Sequence, residues 1–132
     1  MPYKVFTHDY CPPLRGGEPI WDGAAGVILP RVPLDTSDAD CAAGWHYCEQ
    51  MEDALCSAGL WPNGRPSVVA VVEPIGPSLK RGNKCRAASL RLVRQLAEEE
   101  VRDGVRGISI IFGVHRDAMT DEQMAWRAAL AR

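Results

Sequence analysis

Residues 40–74, DCAAGWHYCEQMEDALCSAGLWPNGRPSVVAVVEP, decide the fold. Gly44 to Cys48 alternates, which sets Trp45 and Tyr47 on one face of a short strand and His46 and Cys48 on the other. From Glu49 the period changes. Met51, Ala54, Leu55 and Ala58 make one helical stripe, while Glu49, Gln50, Glu52 and Asp53 face water and suit a helix N-terminus. A helix over 49–59 follows, with Gly59 as its C-terminal cap and Pro62-Asn63-Gly64 as a turn. Ser67 to Val72 (SVVAVV) is apolar at every position after the first, the pattern of a strand buried on both faces. Pro74, Gly76 and Pro77 are expected to stop it.

Upstream, Tyr3 to Thr7 (YKVFT) alternates and predicts a first strand. The Pro- and Gly-rich stretch from His8 to Gly23 is loop, and its 8–22 part is expected to lie across the face of His46 and Cys48. Gly26 to Leu29 (GVIL) is a short candidate strand bounded by Pro30 and Pro33. Downstream, Lys80 to Val101 reads either as one helix, with Leu92, Val93, Leu96 and Ala97 on a stripe, or as a strand followed by a short helix. Periodicity does not separate the two. Gly107 to Val114 (GISIIFGV) predicts another buried strand, and Thr120 and Gln123 are spaced as a capping box opening a last helix.

The chain has 132 residues, 46% apolar and 24% charged, which suits one globular domain with a real core. A net charge of −2 supplies no general attraction to nucleic acid or anionic membranes. No apolar run reaches the length of a bilayer span, and the first ten residues lack a signal-peptide core. Five cysteines, an odd number, fit a reducing compartment better than a disulfide framework. The expectation is a cytoplasmic protein.

Four groupings of residues bear on chemistry. Cys41, His46, Cys48 and Cys56, joined by His8 or Cys11, contain metal-ligand types, yet no C-x-x-C pair occurs and no metal is assigned. His46 lies two residues from Cys48, the spacing at which a base could activate a thiol. Lys80, Arg81, Lys84, Arg86, Arg91 and Arg94 form a basic run, and Gly76 to Lys84 holds phosphate-loop ingredients without fitting the motif. Glu98, Glu99 and Glu100 balance the run, and no exposed aromatics are interleaved with it, so nucleic acid is not indicated. Finally, His8, Asp9, Tyr10 and Arg15 stand on a loop anchored by a strand end, a common arrangement for binding residues.

Cys41-x-x-Gly44-Trp45-His46-Tyr47-Cys48, the strand ending Val72-Glu73, and the basic Lys84–Arg94 segment occur in an order that resembles a poorly characterised module of phages and actinobacteria, often found beside pentapeptide repeats. That resemblance, over about Tyr3 to Leu96, implies a strand for 88–96 and carries no reaction. A looser likeness is to ADP-ribosyltransferase-like folds. It implies an NAD site with Lys4 or His8 at the first position, His46 or Tyr47 at the second and Glu73 at the third.

The expected architecture is α+β: one compact domain with a mixed, mostly antiparallel sheet of strands 3–7, 44–48, 67–72, 88–96 and 108–114, covered by helices at 49–59, 97–103 and 120–131. The leading function is a non-catalytic module binding a small ligand or protein partner through Asp9, Tyr10, Arg15, Trp45, Tyr47 and Cys48. The alternative is a small NAD-using enzyme with His46, Glu73 and His8 as catalytic residues. A zinc-stabilised structural domain is the third reading.

Overall fold

The computed structural model describes residues 2–12, 18–35, 43–59, 65–105 and 119–130. Its frame is a long antiparallel hairpin of β4 (Val68–Arg81) and β5 (Lys84–Gln95). The connection is Gly82-Asn83, where Gly82 takes φ +63°, a conformation that glycine enters without a Cβ penalty. β1 (Tyr3–Phe6) pairs with the first part of β4, Tyr3 opposite Val71 and Phe6 opposite Val68. On the far side of β5 lie two short strands, β2 (Val27–Ile28) beside Arg91–Leu92 and β3 (Trp45–Tyr47) beside Cys85–Ala87. All these pairs are antiparallel.

The expected stop after Val72 is corrected by this hairpin. β4 continues through Pro74 and Pro77 to Arg81. Prolines disrupt a strand that must donate on both edges, but β1 pairs only with Val68–Val71. Beyond that point β4 pairs with β5 alone among the described residues, and a strand edge without a partner there accommodates proline. The same segment carries a register shift between Ile75 and Ser78, with Gly76 at φ +75°. It is therefore a bulged strand and a turn, and not a phosphate loop. The ambiguous 80–101 segment resolves as strand to Gln95, then helix α2 (Glu98–Val105).

The margins of the sheet meet at one point. Cys48, just after β3, exchanges two backbone hydrogen bonds with Tyr3 of β1, at 2.7 and 2.9 Å. β1, β4, β5 and β3 thus close a circuit whose last link is a single bridge.

The sheet has a core on each side. On one, helix α1 (Met51–Ala58) supplies Ala54 and Leu55, α2 supplies Val101 and Val105, and α3 (Asp121–Leu130) supplies Trp126; these pack on Val5, Val69, Val71 and Leu96. Gly104 of α2 lies against the end of the Met51 side chain of α1, which a Cβ there would push aside. The expected capping box is present: the Thr120 N–H donates to Gln123 Oε1 and the Gln123 N–H to Thr120 Oγ1. Glu100 caps α2 by accepting from the Ala97 N–H while Arg94 holds both its oxygens at 2.8 and 2.9 Å. The expected strand at 108–114 lies outside the described residues.

The second core faces away from the helices and joins Phe6, Ala70, Val72, Leu90 and Leu92 to Tyr47, Cys85 and Ala87. Its lid is the segment read as loop. Trp21 is 6% exposed, its ring 5.4 Å from Phe6 and 5.6 Å from Tyr10, and its indole N–H donates to the Ala24 carbonyl. The lid therefore covers the Tyr47 face, opposite to Cys48, and not the face of Cys48 as expected.

Trp21→Ala should cost about 3–5 kcal/mol, as much as removing a large side chain from a helix-covered core. Urea unfolding followed by circular dichroism measures it; a loss under 1 kcal/mol would show that the lid is ornamental.

Candidate functional site

The residues expected to act together are placed apart. His46 is exposed and pairs with Arg86 on one side of β5. Glu73 is on the other side of β5 opposite Arg91, five residues further along, roughly 16 Å of strand. Its carboxylate lies 3.7 Å from Arg91 in an exposed cross-strand ion pair. His8 follows the end of β1 that faces Val68, whereas Glu73 lies past the end that faces Val71. Among the described residues no group of three or more His, Cys, Asp or Glu side chains converges as metal ligands.

The loop residues serve the loop. Thr7 Oγ1 donates to the Asp9 carboxylate and accepts from the Cys11 N–H at 3.0 Å, while the Tyr10 N–H returns to the Thr7 carbonyl. This knot holds Tyr10 at φ +66° and sends its hydroxyl to Gln95 Oε1 at 2.9 Å. The Thr7 hydroxyl holds the Asp9 carboxyl below its usual range. His8 Nδ1 is enclosed without a hydrogen-bond partner among the described residues. Arg15 lies outside the described residues.

Cys48 is 4% exposed, and burial pushes its thiol up to about 11. A nucleophilic cysteine needs the opposite shift. Tyr47 is buried in the second core, where desolvation also raises its phenol. Trp45 is half-buried, and its indole N–H donates to the Pro30 carbonyl at 2.7 Å, tying β3 to the segment after β2.

That segment makes a groove. Arg31, Val32, Pro33, Leu34, Pro77 and Ala88 surround about 540 Å³. The Val32 N–H donates to the Ala88 carbonyl, which seats the segment along β5. Pro77, within the bulged stretch, lines the opposite wall, and a Cβ at Gly76 would stand 3.4 Å from Arg31 Nη1. Among the described residues no carboxylate pairs with Arg31, whereas Lys80, Arg91, Arg94 and Arg102 each have one. Three cations of the basic run are thus paired at the surface, and Arg31 stands outside that run. Arg31 escapes sequence reading because the Pro-bounded PRVP stretch looks only like a strand terminator.

Lys4 is the second unusual cation. It alternates with Tyr3 and Val5, so it shares Phe6's side of β1. Its ammonium is 5.6 Å from the Phe6 ring centroid and 6.0 Å from that of Trp45, and donates to the His46 carbonyl at 2.8 Å. Desolvation lowers it from 10.5 to about 8, with Cys48 opposing weakly. The signal was available: a strand next to SVVAVV has both faces covered, so a lysine within YKVF meets apolar surroundings whichever way it points.

No family model, curated protein or solved structure matches the chain. The geometry of these two cations is therefore the guide to function.

Lys4 also sets a pH dependence. Between about 8 and 10.5 the unfolded chain binds a proton that the folded chain has released, so its contribution to stability rises with pH across that window. Cys48, whose thiol is raised from 9.0 to about 11, acts in the opposite sense. The comparison with Lys4→Met isolates the lysine. K4M should be at least as stable as wild type at pH 7, and wild type should gain on it by an amount on the order of 2 kcal/mol by pH 10. Parallel urea titrations at both pH values check this.

Proposed function

We propose that the protein is a non-catalytic cytoplasmic module that binds a small apolar acid in the groove between Arg31–Leu34 and Pro77–Ala88. The observation that carries this reading is the Arg31 guanidinium, unpaired among the described residues, on the wall of an otherwise apolar groove. About 540 Å³ falls within the ordinary range of small-ligand sites, in which a few polar groups fix the orientation of an apolar body. A lone guanidinium selects a carboxylate, which it binds through two parallel hydrogen bonds. Among the described residues the lining contains no carboxylate, imidazole, hydroxyl or thiol, which supports recognition over chemistry. Four free thiols among the described residues, three of them buried, support a reducing compartment.

A ligand that binds only the folded state raises its stability by mass action, by about 2.7 kcal/mol at a hundredfold excess over Kd. Medium-chain fatty acids and aryl-acetic acids should therefore raise the melting temperature, while their primary amides should not. Arg31→Gln should abolish the response and leave the melting of the free protein unchanged. A shift produced by NAD that survives in R31Q and disappears in His46→Ala would reject this assignment in favour of a nucleotide site.

A further inference from the structure

The wall of the groove that carries Arg31 has a regular backbone pattern. Leu29, Val32 and Asp35 donate their N–H groups to the carbonyls of Leu90, Ala88 and Ala43. The inward bonds thus recur every third residue, and Pro30 and Pro33 keep the same spacing, which is the period of a polyproline II helix. Arg31 and Leu34 share the remaining phase, one turn or about 9 Å apart, and both line the groove. Their N–H groups have no protein acceptor among the described residues. The segment continues β2, the last strand on the sheet path, so these donors lie along an outer margin. Arg31 also closes one end of the groove. A Cβ at Gly76 would stand 3.4 Å from Arg31 Nη1, so the guanidinium reaches from its own wall to the bulged stretch of β4.

We infer that the acid taken by this groove is the carboxyl-terminal end of a polypeptide whose last residue is apolar, an inference that rests on the groove reading above. A guanidinium that spans the two walls blocks the path beyond it, so an extended occupant that meets it has to end there. A terminal carboxylate does so, and accepts two parallel hydrogen bonds from the guanidinium. An internal Asp or Glu would need the chain to pass on both sides. The last side chain enters the apolar space between Val32, Pro77 and Ala88. One turn along the wall, the Leu34 N–H meets a backbone carbonyl about two or three residues back from the terminus, since an extended chain rises about 3.3 Å per residue. Main-chain bonds of this kind supply affinity while side-chain pockets supply specificity. The rest of the partner continues into water, because Arg31, Pro33 and Pro77 are exposed at the rim and only Ala88 is buried at the floor. A free fatty acid copies the carboxylate and the apolar body but has no carbonyl for the Leu34 donor.

The probe is a peptide of sequence Gly-Ser-Gly-Val-Leu, labelled with fluorescein at its amino end and free at its carboxyl end, titrated with the full chain by fluorescence anisotropy. Its carboxyl-terminal amide should bind about tenfold more weakly or worse, and Arg31→Gln should weaken the free acid by the same factor, since each change removes one charge-assisted pair. Octanoate and N-acetyl-leucine, which lack the further carbonyls, should displace the labelled peptide with dissociation constants roughly fivefold or more above its own. Octanoate that binds through Arg31 as tightly as the peptide, or binds where the peptide does not, would overturn the inference and leave the groove reading standing. Equal binding of peptide acid and peptide amide, or of the acid to wild type and R31Q, would overturn both. So would the failure of peptide and fatty acid alike to bind.

Discussion

The antiparallel ladder between Val68–Arg81 and Lys84–Gln95 is the constraint from which the rest of the molecule follows. β5 alone contacts three other strands, and each short strand has its register set by a residue of β5: Val27 by Leu92 and Trp45 by Ala87. β1 is aligned by β4 in the same way. The ladder is not uniform. Its pairing shifts between Ile75 and Ser78, the segment whose Pro77 lines the groove with Arg31, and the sheet margins meet at the Tyr3–Cys48 bridge. A second shift lies between Val71 and Val72, and bulges of this kind bend a strand and recur beside functional surfaces.

Much of this was legible in the sequence. Trp45, Tyr47, the Met51–Ala58 stripe and the SVVAVV run belong where their periods put them, because each is decided by neighbours within a few residues. The errors have a common cause. Pro74 and Pro77 read as terminators because local chemistry does not say whether a strand's outer edge is occupied. Trp21 read as loop because its segment has no period, although one indole packed against Phe6 closes the second core. His46 and Cys48 were paired by spacing, yet spacing does not distinguish an exposed ring from a thiol sealed against helices. Glu73 has a simpler explanation as the cross-strand partner of Arg91.

The charges of the molecule divide into those with carboxylate partners and those without. Arg94 grips Glu100, Lys80 meets Glu49 and Arg102 meets Glu98, all at the surface, where such pairs contribute little. Arg86 is different. It is 4% exposed and donates Nε to the Asp35 carbonyl, so the chain after the Arg31 groove is tethered near the start of β5. Arg31 and Lys4 lie on either side of the Trp45–Pro30 hydrogen bond, one at a groove and one in an aromatic crevice. Among the described residues, no carboxylate pairs with either cation.

The single bridge that closes the sheet also has a consequence for how the chain folds. The hairpin joins neighbours in sequence, but Tyr3 must find Val71 and Cys48, partners far along the chain. Loop-closure entropy makes such contacts late ones. During synthesis, Tyr3–Phe6 leaves the ribosome before its partner, Val68–Val71, exists to receive it. Its aromatic side chains then remain in water until residues 68–71 have followed. The interval before the first strand docks is when this protein is most exposed to wrong partners, and its length is set by the speed of translation.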